Sequence, residues 1–283
     1  MVEELPPARD RELIPQEVLA RVPGYGPAAR IAPLAGGAVN RTFRVETTQG
    51  RFVLRLHDAA GAALGADHLR EAILQNAAAA AGLAPAVLYV DPQQRFMVAE
   101  YLDGRAWTPA DFADVQCLRR LGTILRRLHA VTPPVPAPFD LGELLRGFAD
   151  RVGREAPAER PLLAQFMDRA GVSLRACGME RRQPALFHSD PQHGNLIEAD
   201  GRLFLIDWEY AAVGDPLFDI ACVLAYYPQA LPHSSVLLEA SGLAGQATLP
   251  MLEHATWLYV LLSSLWERVR ALDAGIRPST PAD

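Results

Sequence analysis

The chain is expected to be an α+β protein in which a small antiparallel β-rich lobe precedes a larger, mainly helical lobe. Three observations predict this. Apolar and polar residues alternate in short runs between Ile31 and Tyr101, with turn-forming pairs between the runs. Beyond Asp103-Gly104 the apolar residues recur at threes and fours, which is the helical period. A single compact β section, Ala185 to Asp207, interrupts that helical half. The expected division is residues 1–103 and 104–283, with a short hinge near Tyr101–Gly104.

Each element follows from local pattern. Residues 1–28 read as a leader of short helix and turn. Phe43, Val45 and Thr47, then Phe52, Leu54 and Leu56, alternate with polar or outward-facing neighbours around a turn at Gln49-Gly50, which is a hairpin signal. Asp67 to Ala81 is an alanine-rich helix closed by Gly82. Ala86–Val90 and Phe96–Tyr101 form a second strand pair, its turn opened by Asp91-Pro92. Leu118, Leu121, Leu125 and Leu128 mark an amphipathic helix ending near His129. Four prolines within Thr132–Pro138 predict an extended connector. Helical periodicity returns over 141–175, and again from Pro216 to Asp273.

Composition excludes several classes. Half of the 283 residues are hydrophobic, enough for a sizeable core, and the net charge of −6 comes without any long Lys/Arg run. A nucleic-acid partner is therefore not expected. The longest apolar stretch, Trp257 to Trp266, is too short to cross a bilayer, so no membrane insertion is expected. Cys117, Cys177 and Cys222 are widely spaced and read as reduced thiols. The first ten residues carry acids and prolines rather than an apolar leader, so the expected location is cytoplasmic.

The chemistry concentrates in His188-Ser189-Asp190-Pro191-Gln192-His193-Gly194-Asn195, which fits H-x-D-x-x-x-x-N. Leu196–Ala199 and Arg202–Ile206 flank Asp200-Gly201, a strong two-residue hairpin turn. That hairpin folds the chain back so that Asn195 and Asp207 approach one another. Two such oxygen ligands suit a hard divalent cation such as Mg2+. Asp190, on the same loop, is then placed to face an acceptor hydroxyl, orient it and take its proton. The alternative is that these residues are turn formers only. The hairpin, which delivers Asp207 at the right distance, argues against it.

Together with Leu205-Ile206-Asp207-Trp208-Glu209-Tyr210-Ala211, this loop resembles the aminoglycoside phosphotransferase and choline kinase superfamily. Ile206–Ala211, followed by Gly214-Asp215-Pro216 and Asp219, is similar to the choline kinase and bacterial thiamine kinase branches. The resemblance extends from about Leu34 to Trp266. It implies a protein-kinase-like fold with ATP between a five-stranded sheet lobe and a helical lobe. It also implies a small-molecule kinase with a small-molecule acceptor. A cationic alcohol such as choline or thiamine is favoured over an aminoglycoside or sugar. A catalytically inactive nucleotide-binding scaffold on the same fold is the alternative of another class.

The resemblance assigns further residues. Gly36, Gly37 and Asn40 lie in the turn where backbone amides approach phosphates. Arg55 stands where many kinases carry a phosphate-binding lysine, with Glu71 as its carboxylate partner. A solvated strand cation and a solvated helix face are the plain alternatives for these two. Glu100 to Leu102 would offer hinge backbone to adenine. Asp219 braces the catalytic loop, His188 supports its backbone, and Asp215 caps the helix that Pro216 opens. Glu209 would point to the same side as Asp207 along an extended chain, towards metal or a cationic substrate, or be a surface acid. Tyr259 and Trp266, seven residues apart, share a helix face that either holds a cationic group or packs in the core. Choline kinases carry two tryptophans three apart here, and this chain has Ser263 at the earlier position.

Overall fold

The structure, a computed structural model, describes residues 15–20, 22, 30–34, 40–57 and 67–275. Gly36 and Gly37, and most of the leader, lie outside the described residues. The chain divides into two compact units, which are described separately.

The first unit contains five strands, β1 (Arg30–Pro33), β2 (Arg41–Thr47), β3 (Gly50–Leu56), β4 (Val87–Val90) and β5 (Phe96–Glu100). They form one antiparallel sheet in the order β1-β2-β3-β5-β4. The predicted hairpin is β2–β3, with Thr47 opposite Gly50. The turn therefore sits at Thr48-Gln49, one residue earlier than expected. Val45, Leu54, Leu56, Phe96 and Val98 are buried on one face. Val18 and Leu19 of a short helix, α1 (Pro15–Leu19), close that small core together with Val22. Alternation of period two thus yields one buried face, as the pleat requires.

The second unit begins with α2 (His68–Ala80). Asp67 caps it by accepting from the Arg70 amide, and Gly82 follows at φ 70°, a conformation glycine adopts without penalty. Leu74 and Ala78 of this helix bury with Leu83 and Ala84 into the large core of the helical unit. After β6 (Arg105–Ala106) come α3 (Val115–His129), capped by Asp114, α4 (Leu141–Glu155) and α5 (Arg160–Cys177). The proline-rich 132–138 segment has no helix, and Pro138 makes a bridge to Val213.

The interrupting β section is β7 (Ala185–Phe187), β8 (Leu196–Ala199) and β9 (Arg202–Leu205), followed by β10 (Ala212–Gly214). Strands β6-β8-β9 form one small sheet and β10-β7 another. The rest is helical: α6 (Leu217–Tyr226), α7 (Ser234–Ala240) and α8 (Leu249–Asp273). Residues Leu217 to Leu224 of α6 are all buried, so this helix is the axis of the core, packed on α8. Among the described residues no helix is long and apolar enough to cross a membrane. The three cysteines are free thiols.

Candidate active site

The Asp-Gly turn of the β8–β9 hairpin carries the site. Asp200 and Gly201 have φ of 50° and 70°, the pair of positive values a two-residue turn of this kind needs, and Ala199 pairs with Arg202. The register runs back to Leu196 opposite Leu205. One step further, the Ile206 amide donates to the Asn195 carbonyl at 3.0 Å. Asp207 is therefore the first residue beyond the partner of Asn195. Its φ of 66° turns the chain out of the strand direction.

The loop before Asn195 is fastened at several points. Asp219 is fully buried and accepts from the amides of His188 (3.1 Å) and Ser189 (2.9 Å), while His129 Nε2 lies 3.0 Å from its other oxygen. These bonds tie Asp219 to the backbone of the 188–195 loop. His188 is also fully buried. Its Nδ1 accepts from the Asp190 amide at 3.3 Å, so Nε2 carries the proton donated to the Ile206 carbonyl at 3.0 Å. Burial lowers the pKa of His188, which keeps the imidazole neutral. Its ring meets Trp208 edge-on at 4.9 Å. His188 thus ties the 188–195 loop to the end of the hairpin.

Asp190 sits between these supports. Its Oδ2 accepts from Gln192 Nε2 and Asn195 Nδ2, both at 2.9 Å. Asn195 Nδ2 also donates to the Asp190 carbonyl at 3.0 Å. With the amide nitrogen committed, the Asn195 oxygen is the atom that could serve as a ligand. Asp190 Oδ1 is buried and has no hydrogen-bond partner. Burial pushes the Asp190 carboxyl up to about 6, the nearby Asp207 charge adds to this, and Gln192, Asn195 and Tyr259 oppose it. A carboxylate with that value is still mainly ionised at neutral pH. The donor set of Asn195 amide oxygen and Asp207 carboxylate is all hard oxygen, beside a carboxylate that a cation would relieve. These residues fit a magnesium ion.

Several expectations need correction. Glu209 does not lie along an extended chain: Asp207 is left-handed, and Trp208 to Ala211 is a turn closed by the Ala211 amide on the Trp208 carbonyl at 3.0 Å. The inference from strand alternation therefore fails, and Glu209, only 8% exposed, is not a surface acid either. Arg55 is 7% exposed in β3 and Glu71 is 2% exposed in α2, so neither is a solvated charge. His68 Nδ1 lies 3.1 Å from Glu71 Oε2. Asn40 is buried at the start of β2. Glu100 spends its amide on the Ala86 carbonyl and its carboxylate on the Ala86 amide, which closes the β4–β5 pair. Leu102 begins the longer of the two segments that make up the second unit.

Asp215 stands one residue before the N-cap, Pro216, rather than at the cap position expected of it. Its carboxylate accepts from the Leu217 amide at 2.9 Å, and it forms a buried, multidentate pair with Arg182. Tyr259 is 5% exposed and packs its ring on Phe218 and Tyr226, at 5.2 and 5.7 Å. Trp266 meets Tyr210 edge-on at 6.3 Å, and the Arg270 guanidinium covers its ring at 5.2 Å. His129, Arg182 and Tyr227 all support the site, yet no local pattern marks them. Their partners lie 90, 33 and 34 residues away.

A five-stranded antiparallel unit and a larger helical unit, the latter bearing an Asp–Asn loop joined by a hairpin to a second aspartate, define a protein-kinase-like fold. The chain belongs to the phosphotransferase enzyme family, whose sequence profile matches residues 30–250. It is 26% identical over 200 residues to protein LicA of Haemophilus influenzae, which covers 67% of this chain and 56% of that protein. The chain thus spans little more than half the length of that relative. Among solved structures, a choline/ethanolamine kinase family protein from Mesorhizobium loti superposes with a TM-score of 0.72 at 25% identity, covering 95% of this chain and 87% of that one. Choline kinase LicA from Streptococcus pneumoniae shares the fold at a TM-score of 0.75 and 18% identity, over 89% and 88% of the two chains. So does macrolide 2'-phosphotransferase MphH from Brachybacterium faecium, at 0.64 and 23%, over 92% of each.

Proposed function

We propose that this protein is a small-molecule kinase that transfers the γ-phosphoryl group of ATP to the hydroxyl of a small metabolite, with a cationic alcohol such as choline or thiamine favoured. The observation that carries the reading is the hydrogen-bonded Asp190–Asn195 pair, set by the β8–β9 hairpin beside Asp207. Asp190 Oδ2 is held by two amides, and the buried Oδ1 is left to accept from an incoming hydroxyl. Asp190 orients that hydroxyl and takes its proton as the new O–P bond forms and the bond to ADP breaks. The Asn195 oxygen and Asp207 would hold magnesium, which when bound neutralises charge on the phosphate oxygens. Arg55 is assigned to the nucleotide phosphates, with Glu71 as its carboxylate partner, on the resemblance, and their burial argues against the solvated-charge alternatives. Asn40 and the Glu100–Leu102 backbone are assigned to the nucleotide on the resemblance. Solved relatives bind nucleotide: LicA is known with AMP, and aminoglycoside phosphotransferase APH(4)-Ia with AMP-PNP and hygromycin B.

The second reading is an aminoglycoside or sugar acceptor, and one observation weighs against a cation on the aromatic face and so towards an uncharged sugar. Arg270 already covers the Trp266 ring, so that face offers no cation site. Glu209 and Tyr259 remain candidates for acceptor contacts. Single-turnover transfer from labelled ATP, run across choline, thiamine, aminoglycosides and sugars, decides between the readings. Label on none of them would sink the kinase reading, and a thermal shift by Mg-ATP would then leave the inactive nucleotide-binding scaffold.

A further inference from the structure

We propose that Tyr227 is a positioning residue for the catalytic loop, acting through His193; this rests on the reading of Asp190 as the catalytic carboxylate. Tyr227 directly follows α6 and is 4% exposed. Its hydroxyl makes two contacts with one residue. It accepts from the His193 backbone amide at 2.7 Å and pairs with His193 Nδ1 at 2.7 Å. His193 opens the short 3-10 turn His193–Asn195, and its amide is one that such a turn leaves without an internal partner. The phenol supplies that partner. Two residues on, the Asn195 side chain donates to both the carbonyl and Oδ2 of Asp190. A hydroxyl at the end of α6 therefore sets the turn that aims the Asp190 carboxylate.

The tyrosine is itself held in place. Its ring stacks on Phe112 with centroids 3.6 Å apart and planes 12° from parallel, and Phe112 in turn meets Trp107 edge-on at 5.5 Å. The Trp107 amide donates to the Leu196 carbonyl at 2.9 Å, on the residue after Asn195. Gln229 Nε2 donates to the Pro109 carbonyl at 2.8 Å. The aromatic column and the catalytic loop thus form one closed circuit. Burial holds the phenol pKa up to about 12, so the hydroxyl keeps its proton at neutral pH. None of these contacts reaches the reacting atoms, which makes the role one of positioning.

Tyr227→Phe removes the hydroxyl and keeps the ring stack. The expected result is a fall in kcat of roughly 10- to 100-fold, the scale of a small misplacement of a catalytic group, with KM for ATP and acceptor within about twofold. Hydrogen exchange of the 190–195 amides should quicken while α6 keeps its protection. His193→Asn, whose side-chain oxygen can replace Nδ1, should retain more activity than His193→Ala. Wild-type kcat in Tyr227→Phe overturns the proposal, as does a loss of protection spread evenly over the helical unit. If the wild-type protein transfers phosphate to nothing, the kinase reading fails by itself. The exchange measurement then still decides whether Tyr227 holds the loop.

Discussion

In Asp190→Asn the buried carboxylate is exchanged for an amide of nearly the same shape. The displacement of the Asp190 carboxyl from 3.8 to about 6 by burial corresponds to about 3 kcal/mol against the ionised form at neutral pH. The folded value lies above the unfolded one, so the folded chain binds more protons between those limits. Stability therefore falls as pH rises through that window, with the full cost above about pH 6 and none well below 3.8. The asparagine oxygen can keep the bonds from Gln192 and Asn195, but its NH2 group enters the partnerless Oδ1 position. That offsets part of the gain and leaves a net stabilisation of about 1–2 kcal/mol. In a protein of this size that is a rise in Tm of about 2–6 °C. The assay is thermal unfolding with EDTA and no nucleotide. The gain should be present at pH 7.5 and be lost by about pH 4.5, where the ionisation cost has fallen to roughly 1 kcal/mol and no longer exceeds the offset. Single-turnover transfer by the same variant should fall at least about 100-fold. A variant less stable than wild type at pH 7.5, or a difference indifferent to pH, refutes the reasoning.

Three further outcomes follow from the same geometry. Asp219→Ala strands two buried backbone amides and His129 Nε2, so urea unfolding should show a loss of about 3 kcal/mol or more. Arg182→Met leaves the Asp215 carboxylate buried without its guanidinium; the expected loss is about 3–5 kcal/mol, and Arg182→Met with Asp215→Leu should recover much of it. Asp207→Asn should raise the magnesium concentration for half-maximal single-turnover transfer by at least about tenfold, by loss of a charged oxygen ligand. An unchanged magnesium dependence would remove Asp207 from the metal site.

What could be read from the sequence was whatever short-range physics dictates. Asp200-Gly201 between alternating strands leaves little choice but a two-residue turn with both φ positive, and that turn alone brings the Asn195 and Asp207 ends of its strands together. Asp67 and Gly82 bounded α2 for equally local reasons. Glu209 shows where such reasoning stops. Strand alternation continues only while the backbone stays extended, and nothing in Asp207-Trp208-Glu209 announces that Asp207 becomes left-handed. The pairs Arg182–Asp215, His129–Asp219 and Tyr227–His193 were illegible for another reason. Each joins segments that only tertiary packing brings together, so neither period nor spacing encodes them.

Those long-range pairs also explain how the loop can hold an unfavourable backbone beside its chemistry. Ser189, immediately before Asp190, has φ 72°, a conformation that costs a non-glycine residue about 1–2 kcal/mol. It persists because its own amide and that of His188 both end on Asp219, a carboxylate with no exposure and no room to move away. The strain is what turns Asp190 out of the β7 direction and into line with Asn195. Relaxing it would release the Asp190 amide from His188 Nδ1, and with it the His188 link to Ile206 at the end of the hairpin. The strained serine, the neutral histidine and the buried aspartate therefore act as one device. It holds a carboxylate in a place that its burial alone would not favour.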